Sequence, residues 1–133
     1  GCDDVVDYEK EDPVAGVRRL TGGRGVDYVF DCTGNPDVPA QAIGAVRRGG
    51  RIALLGLTGS EPSEIDVDRL TLDEVDLMGI RSSPNAYPAM IALMRSGKVD
   101  LSPLVTHVYP LESVGEALAA LESREAVRPI VEL

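Results

Sequence analysis

Short apolar runs alternate with amphipathic stretches along most of the chain. Val5 and Val6, flanked by Asp4 and Asp7, read as a short strand. Asp12 is placed to cap a helix whose first position is Pro13, where a missing N–H costs nothing. Val14, Val17 and Leu20 then recur on one helical face, and Gly22 and Gly23 stop it. Residues 26–32 form the next predicted strand. Asn35 caps and Pro36 opens a second helix, with Val38, Ala42 and Val46 facing inward and Gly49 and Gly50 ending it. Residues 51–57, R-I-A-L-L-G-L, make a strand apolar on both faces. Such strands sit inside parallel sheets covered by helices.

A loop rich in Gly, Ser and Pro follows at 58–63, then a helical turn at 68–72 and a strand at 75–80. Tyr87, Met90, Ile91 and Met94 stand at i, i+3, i+4 and i+7, a helical repeat ended by Ser96 and Gly97. Val114, Ala117, Leu118 and Leu121 repeat the pattern, with Gly115 inside it at a cost of about 1 kcal/mol relative to Ala. Residues 128–133 read as a last strand, which Pro129 confines to an edge or to a strand start. Strands and helices in alternation with short connections predict an α/β fold. There is no internal repeat.

Composition narrows the function classes. The chain has 133 residues, 44% of them apolar, and a net charge of −9. That length carries one domain with a real core. The acidic balance argues against a nucleic-acid or anionic-membrane surface. Cys2 and Cys32 are too few for a disulfide framework, and neither lies in a C-x-x-C or near the single His107. A metal site built by this chain alone is therefore not expected. Reduced thiols and the lack of an apolar run of spanning length predict a cytoplasmic protein. The chain opens on Gly1 followed at once by a strand pattern, which reads as a start inside a domain.

The candidate chemistry sits at strand ends. Cys32, Thr33 and Gly34 close the strand at 26–32 just before a helix, where glycine lets a ligand approach the backbone and helix N–H groups favour an anion or a polar ring edge. A tight strand-to-helix turn explains the same residues equally well. Leu55, Gly56 and Leu57 repeat the arrangement on the next strand, and Gly79, Ile80, Arg81 and Ser82 repeat it again. Neighbouring strand ends of this kind make a ledge for a flat ligand, at the edge where parallel sheets bind. No G-x-G-x-x-G follows a strand, and Gly23-Arg24-Gly25 precedes one, as a helix-to-strand turn does. His107 in L-V-T-H-V-Y-P reads as a structural histidine bonded to backbone, since no nucleophile or carboxylate pattern accompanies it. Arg128 stands just before the last strand, where a guanidinium can clamp a phosphate.

Taken in order, G-C-D-D-V-V-D-Y, L-T-G-G-R-G-V-D-Y-V-F-D-C-T-G, G-G-R-I-A-L-L-G-L, L-M-G-I-R-S-S, S-G-K-V-D, L-V-T-H-V-Y-P-L, E-A-L and V-R-P-I-V resemble the zinc-type alcohol dehydrogenases of the medium-chain dehydrogenase/reductase superfamily. The resemblance runs the whole length of the chain. It implies the C-terminal half of a Rossmann-type parallel sheet, strands three to six. It implies a partial cofactor domain over about 1–97, with a helix and strand at about 98–133 returning toward a catalytic domain. Under it, Cys32, Thr33 and Gly34 line the adenine side of an NAD or NADP pocket. Leu55, Gly56 and Leu57 lie along the nicotinamide, Ile80 and Ser82 complete its amide contacts, and Arg128 reaches the pyrophosphate. The family's glycine-rich loop, ribose-binding acid, zinc ligands and proton-relay residues fall upstream of Gly1, so zinc belongs to the full-length enzyme and not to this chain.

The function so implied is hydride transfer between an alcohol or polyol and a nicotinamide cofactor, within a homo-oligomer. The isolated chain is expected to be inert. Two other readings stand beside it: a methyltransferase-like Rossmann domain, and a non-catalytic interaction or remnant domain. In a sheet of order 3-2-1-4-5-6 a chain without strands one and two leaves its first strand unpartnered. The strand at 26–32 then becomes an apolar edge, prone to aggregation or to pairing with another chain.

Overall fold

In the computed structural model, which describes residues 2–81 and 85–133, the first helix starts as its sequence dictates. The Asp12 carboxylate accepts from Ala15 N at 2.8 Å and Pro13 opens α1 (Pro13–Leu20). The turn through Gly22, Gly23 and Gly25, all at positive φ, then feeds β1 (Val26–Asp31). α2 (Val38–Ala45) follows, then β2 (Val46–Leu54), α3 (Val67–Leu72) and β3 (Asp76–Gly79). The three strands form one parallel sheet in the order β1-β2-β3. α3 is capped by the Asp66 side chain, which accepts from Arg69 N at 2.9 Å. These elements make up one compact unit, Gly1–Ser82, and Ser83–Leu133 makes a second.

The core of the first unit lies between β2 and α2. Ala42 and Ile43 on the helix pack against Val46 and Ile52 on the strand, with Val29, Leu54, Leu70, Val75 and Leu77 around them. Ile52 and Ala53 are both buried although they point to opposite faces, which is the mark of a central parallel strand. α1 covers α2 where Gly44 faces Val14 closely enough that a Cβ would stand 3.0 Å from the valine methyl.

The structure departs from the expected elements at four places. Val5 and Val6 are not a strand. Among the described residues β1 pairs only with β2, and no ladder takes in this segment; Val6 packs on α1 at Gly16 and Val5 is 82% exposed. The second helix begins at Val38, later than Pro36. Asn35 accepts through its side chain from Asp37 N at 2.9 Å, forming a turn that delays the helix. Val46 does not belong to that helix; it pairs with Val26 as the first residue of β2. β2 then leaves the ladder, with Gly49 at φ 63°, and re-enters at Arg51 opposite Tyr28. Finally, residues 105–110 form a strand that was not expected.

That strand, β4 (Val105–Pro110), belongs to the second unit. It is joined through α5 (Val114–Glu122) to β5 (Arg128–Glu132), and the two strands are parallel. A helix between parallel strands is the usual crossover. β5 forms where expected, and its partner is β4 in a separate two-stranded sheet, with Pro129 opposite His107. α5 buries its small residues, Ala117 and Ala120, and leaves Leu118 and Leu121 exposed. α4 (Ala86–Arg95) completes the unit, ended by Gly97 at φ 72°. The Nδ1 of His107 is buried and meets no hydrogen-bond partner among the described residues, so the expected backbone bond is not made at that atom. Its ring stacks against Tyr109, centroids 6.1 Å apart.

The starting ends of the parallel strands are tied by arginines. Arg18 donates to the carbonyls of Gly44, Gly23, Arg24 and Val46, joining α1, the glycine turn and the end of α2. Arg24 grips the Asp27 carboxylate with both terminal nitrogens, and Arg47 reaches the same group through Nε. The Arg24 hydrogen bond first, and then that of Arg47, hold the Asp27 carboxyl at about 2 against an ordinary 3.8.

Two outcomes follow from this packing. Ile52→Ala, at a fully buried side chain, is expected to lose about 2–5 kcal/mol in urea unfolding. Leu72→Ala, at a 79% exposed one, should stay within about 0.5 kcal/mol. Because the folded pKa of Asp27 is depressed, the stability it contributes is present above pH 3.8 and lost as pH falls through about 2. The difference in urea midpoint between the protein and Asp27→Asn should therefore shrink across that interval; a constant gap would refute the assignment.

Candidate functional site

At the other end of the same strands, three turns converge. β1 ends in Asp31, whose side chain is buried at 4% exposure and accepts from Thr33 N at 2.9 Å and Thr33 Oγ1 at 2.7 Å. The Thr33 hydroxyl in turn accepts from Asn35 N at 3.1 Å. A carboxylate at the strand's last position thus folds Cys32 and Thr33 back into a tight turn. The Asp31 carbonyl accepts from both Leu55 N, at 2.8 Å, and Gly56 N, at 3.0 Å, so the backbone past β2 stays locked to β1. Ile80 N donates to Leu54 O at 2.9 Å and carries the same order to the end of β3.

Glycine is required where the first two turns touch. A Cβ on Gly56 would lie 2.1 Å from Gly34 N, and one on Gly34, at φ 71°, would lie 2.6 Å from Leu57 O. Beside this contact opens a cleft of about 360 Å³, lined by Asp31, Pro39, Leu54, Gly56, Leu57, Thr58, Gly59, Ser63 and Ile65. Its walls are mostly apolar side chains and glycine backbone. That surface suits the face of a flat ring, with polar groups at its rim to set orientation.

The expected site residues fall into three groups. Gly34, Gly56 and Leu57 are brought into contact, with Cys32, Thr33 and Leu55 on the same turns, Cys32 and Thr33 exposed. Ile80 follows β3 at the same end of the sheet. Ser82 lies outside the described residues. Arg128 opens β5 in the second unit, paired with Val105, exposed. Asp31 lies outside the expected set, although the D-x-T spacing that builds its turn is in the sequence. Thr58, Gly59 and Ser63 carry only the composition of a loop in the sequence, and Ile65 carries no signal of its own. Among the described residues no group of three or more His, Cys, Asp and Glu side chains could hold a metal ion, and no helix is long and apolar enough to cross a membrane.

Known proteins resemble this chain in sequence and in fold. A family model described as zinc-binding dehydrogenase matches residues 1–96. A sorbitol dehydrogenase of Bacillus subtilis is 33% identical over 118 residues, covering 89% of this chain and 33% of the relative. An L-threonine 3-dehydrogenase of Symbiobacterium thermophilum is 37% identical over 130 residues, covering 95% of this chain and 37% of the relative. Among solved structures, benzyl alcohol dehydrogenase from Acinetobacter calcoaceticus superposes with a TM-score of 0.91 at 25% identity, over 100% of this chain and 38% of that one. A zinc-binding-domain alcohol dehydrogenase protein from Burkholderia ambifaria gives 0.89 at 32% identity, over 100% of this chain and 37% of that one. The chain spans about a third of the length of the curated relatives it matches.

The glycine contact generates a direct test. Gly56→Ala forces backbone against backbone and is expected to lose at least about 2 kcal/mol in chemical denaturation. Gly79→Ala meets nothing within 4 Å among the described residues and no positive φ, so it should be neutral or stabilising by up to about 1 kcal/mol. Equal effects would mean that the two turns are not in contact.

Proposed function

The chain belongs to the zinc-binding dehydrogenase family, and on that premise we propose that it is the cofactor-holding portion of an NAD(P)-dependent alcohol or polyol dehydrogenase. The observation that carries the reading is the glycine ledge at the ends of β1 and β2, with its apolar cleft. Two backbones approach there more closely than any side chain would allow, which leaves main-chain groups and flat apolar surface for a ring system. When bound, the nicotinamide cofactor supplies hydride chemistry that no side chain can. This chain's residues bind and orient it.

In this reading the Asp31 turn sets Cys32, Thr33 and Gly34 against the adenine side, and Leu55, Gly56 and Leu57 flank the nicotinamide with Ile80 and Ser82 beside it. Arg128 serves the pyrophosphate. The cleft offers no cation among its lining residues, which fits a ring and not a phosphate at that spot. The described residues do not fit a zinc ion, so no step of the reaction is routed through one here. The alcohol substrate and the homo-oligomer belong to the full-length enzyme.

The reading separates cleanly from a methyltransferase-like one. In an NMR titration of the chain, NADH or NADPH should shift the amides of residues 33–35 and 56–58 with a dissociation constant near or above about 1 mM, worth roughly 4 kcal/mol. S-adenosylmethionine should leave them unmoved. The same preparation should oxidise no alcohol. A preference for S-adenosylmethionine, the absence of any nicotinamide response, or alcohol oxidation by the pure chain would each sink the proposal.

A further inference from the structure

The opposite end of the sheet holds a second opening, and the charge around it does not cancel. This cleft, of about 340 Å³, is lined by Arg18, Arg24, Arg47, Arg48 and Asp73. Arg18 is committed, since its nitrogens all donate to carbonyls and its charge faces the C-terminal end of α2, where the helix dipole is negative. Arg24 and Arg47 share the one carboxylate of Asp27. Arg48 Nε, at 2.9 Å, and Arg69 Nε, at 3.6 Å, share the one carboxylate of Asp73. Four guanidinium groups against two carboxylates leave two positive charges, concentrated on one surface of a chain whose net charge is −9.

Donors are also left over. Arg48 uses only Nε on Asp73 and its side chain is 85% exposed; among the described residues its two terminal nitrogens meet no protein acceptor. The bulge of β2 fixes the backbone at this arginine: Gly49 N donates to Asp73 O at 2.8 Å, and Arg47 donates to the Arg48 carbonyl. A planar guanidinium with free terminal N–H groups matches the oxygens of a phosphate in paired fashion. We propose that this cleft binds a small dianion of the phosphate class, held by the terminal nitrogens of Arg48 and by the surplus charge of Arg24 and Arg47. The site is independent of the nicotinamide reading. Asp31 and Gly56 mark the ends of the strands and Arg24 and Arg47 their starts, and a six-residue strand separates the two by about 20 Å.

Titration of the chain with inorganic phosphate and with glycerol 3-phosphate, followed by the amide shifts of residues 47–50 and by calorimetry against sodium chloride at matched ionic strength, tests the proposal. Saturable binding of either, beyond the chloride control, is expected, and the tighter of the two assigns the source as free phosphate or as a phosphate ester. Arg48→Gln should weaken it at least fivefold. Arg51→Gln, which removes an equally charged arginine paired with Asp76 outside the cleft, should leave it unchanged. No saturable binding of either anion, unchanged binding in Arg48→Gln, or an equal loss in Arg51→Gln would overturn the site.

Discussion

β2 is paired on both sides, and the double pairing places Ile52 where no water reaches it. β1 hydrogen-bonds to one flank through Tyr28 to Asp31, β3 to the other through Asp76 to Gly79, and neither has a second partner among the described residues. The core follows from that arrangement, because Ile43 and Val46 can close on Ile52 only while β2 is held flat between its neighbours. Both clefts depend on it as well. One is made by what happens just after the strands end, the other by what happens just before they begin. A parallel sheet with helices returning over it puts all strand ends on one rim and all strand starts on the other.

The two rims differ in chemistry for a physical reason. Helices run back against the strands, so the rim of strand starts receives helix C-termini, whose carbonyls favour cations. Arg18 at the ends of α1 and α2 is that complement in its plainest form. At the rim of strand ends, order comes instead from neutral backbone bonds and from one buried carboxylate, Asp31, whose Oδ1 accepts twice from Thr33. The cations drawn to the rim of strand starts outnumber the two carboxylates they pair with, and that surplus, against the helix dipoles, is what the proposed anion site uses, although both rims belong to the same three strands.

Much of this was legible in the sequence. Asp12 with Pro13 announced α1 because a cap and a proline act locally, and the two-faced apolar run of β2 announced a central parallel strand. What was illegible depends on partners. Two valines in a row have the composition of a strand, but among the described residues Val5 and Val6 have no strand to pair with. Val46 continues the helical repeat of α2, yet its pairing with Val26 takes it into the sheet. β4 was hidden because His107 and Thr106 interrupt its apolar pattern, and its pairing with β5 is a contact more than twenty residues away in the chain.

The ledge shows where legibility stops at the site itself. Gly34 and Gly56 could each be marked as a strand-end glycine, a feature shared with countless turns. Their significance comes from the pair: a Cβ on one would nearly coincide with the backbone of the other, so the two positions are coupled and neither tolerates a side chain. β1 is at the same time an edge strand, with Tyr28 61% and Phe30 66% exposed. An edge that is also the scaffold of the ledge must hold its register against solvent and against other chains. The backbone bonds from Leu55 and Gly56 to the Asp31 carbonyl, together with the Arg24 and Arg47 grip on Asp27, pin β1 at both ends. The register of the whole ledge is thereby set by contacts lying outside the regular ladder.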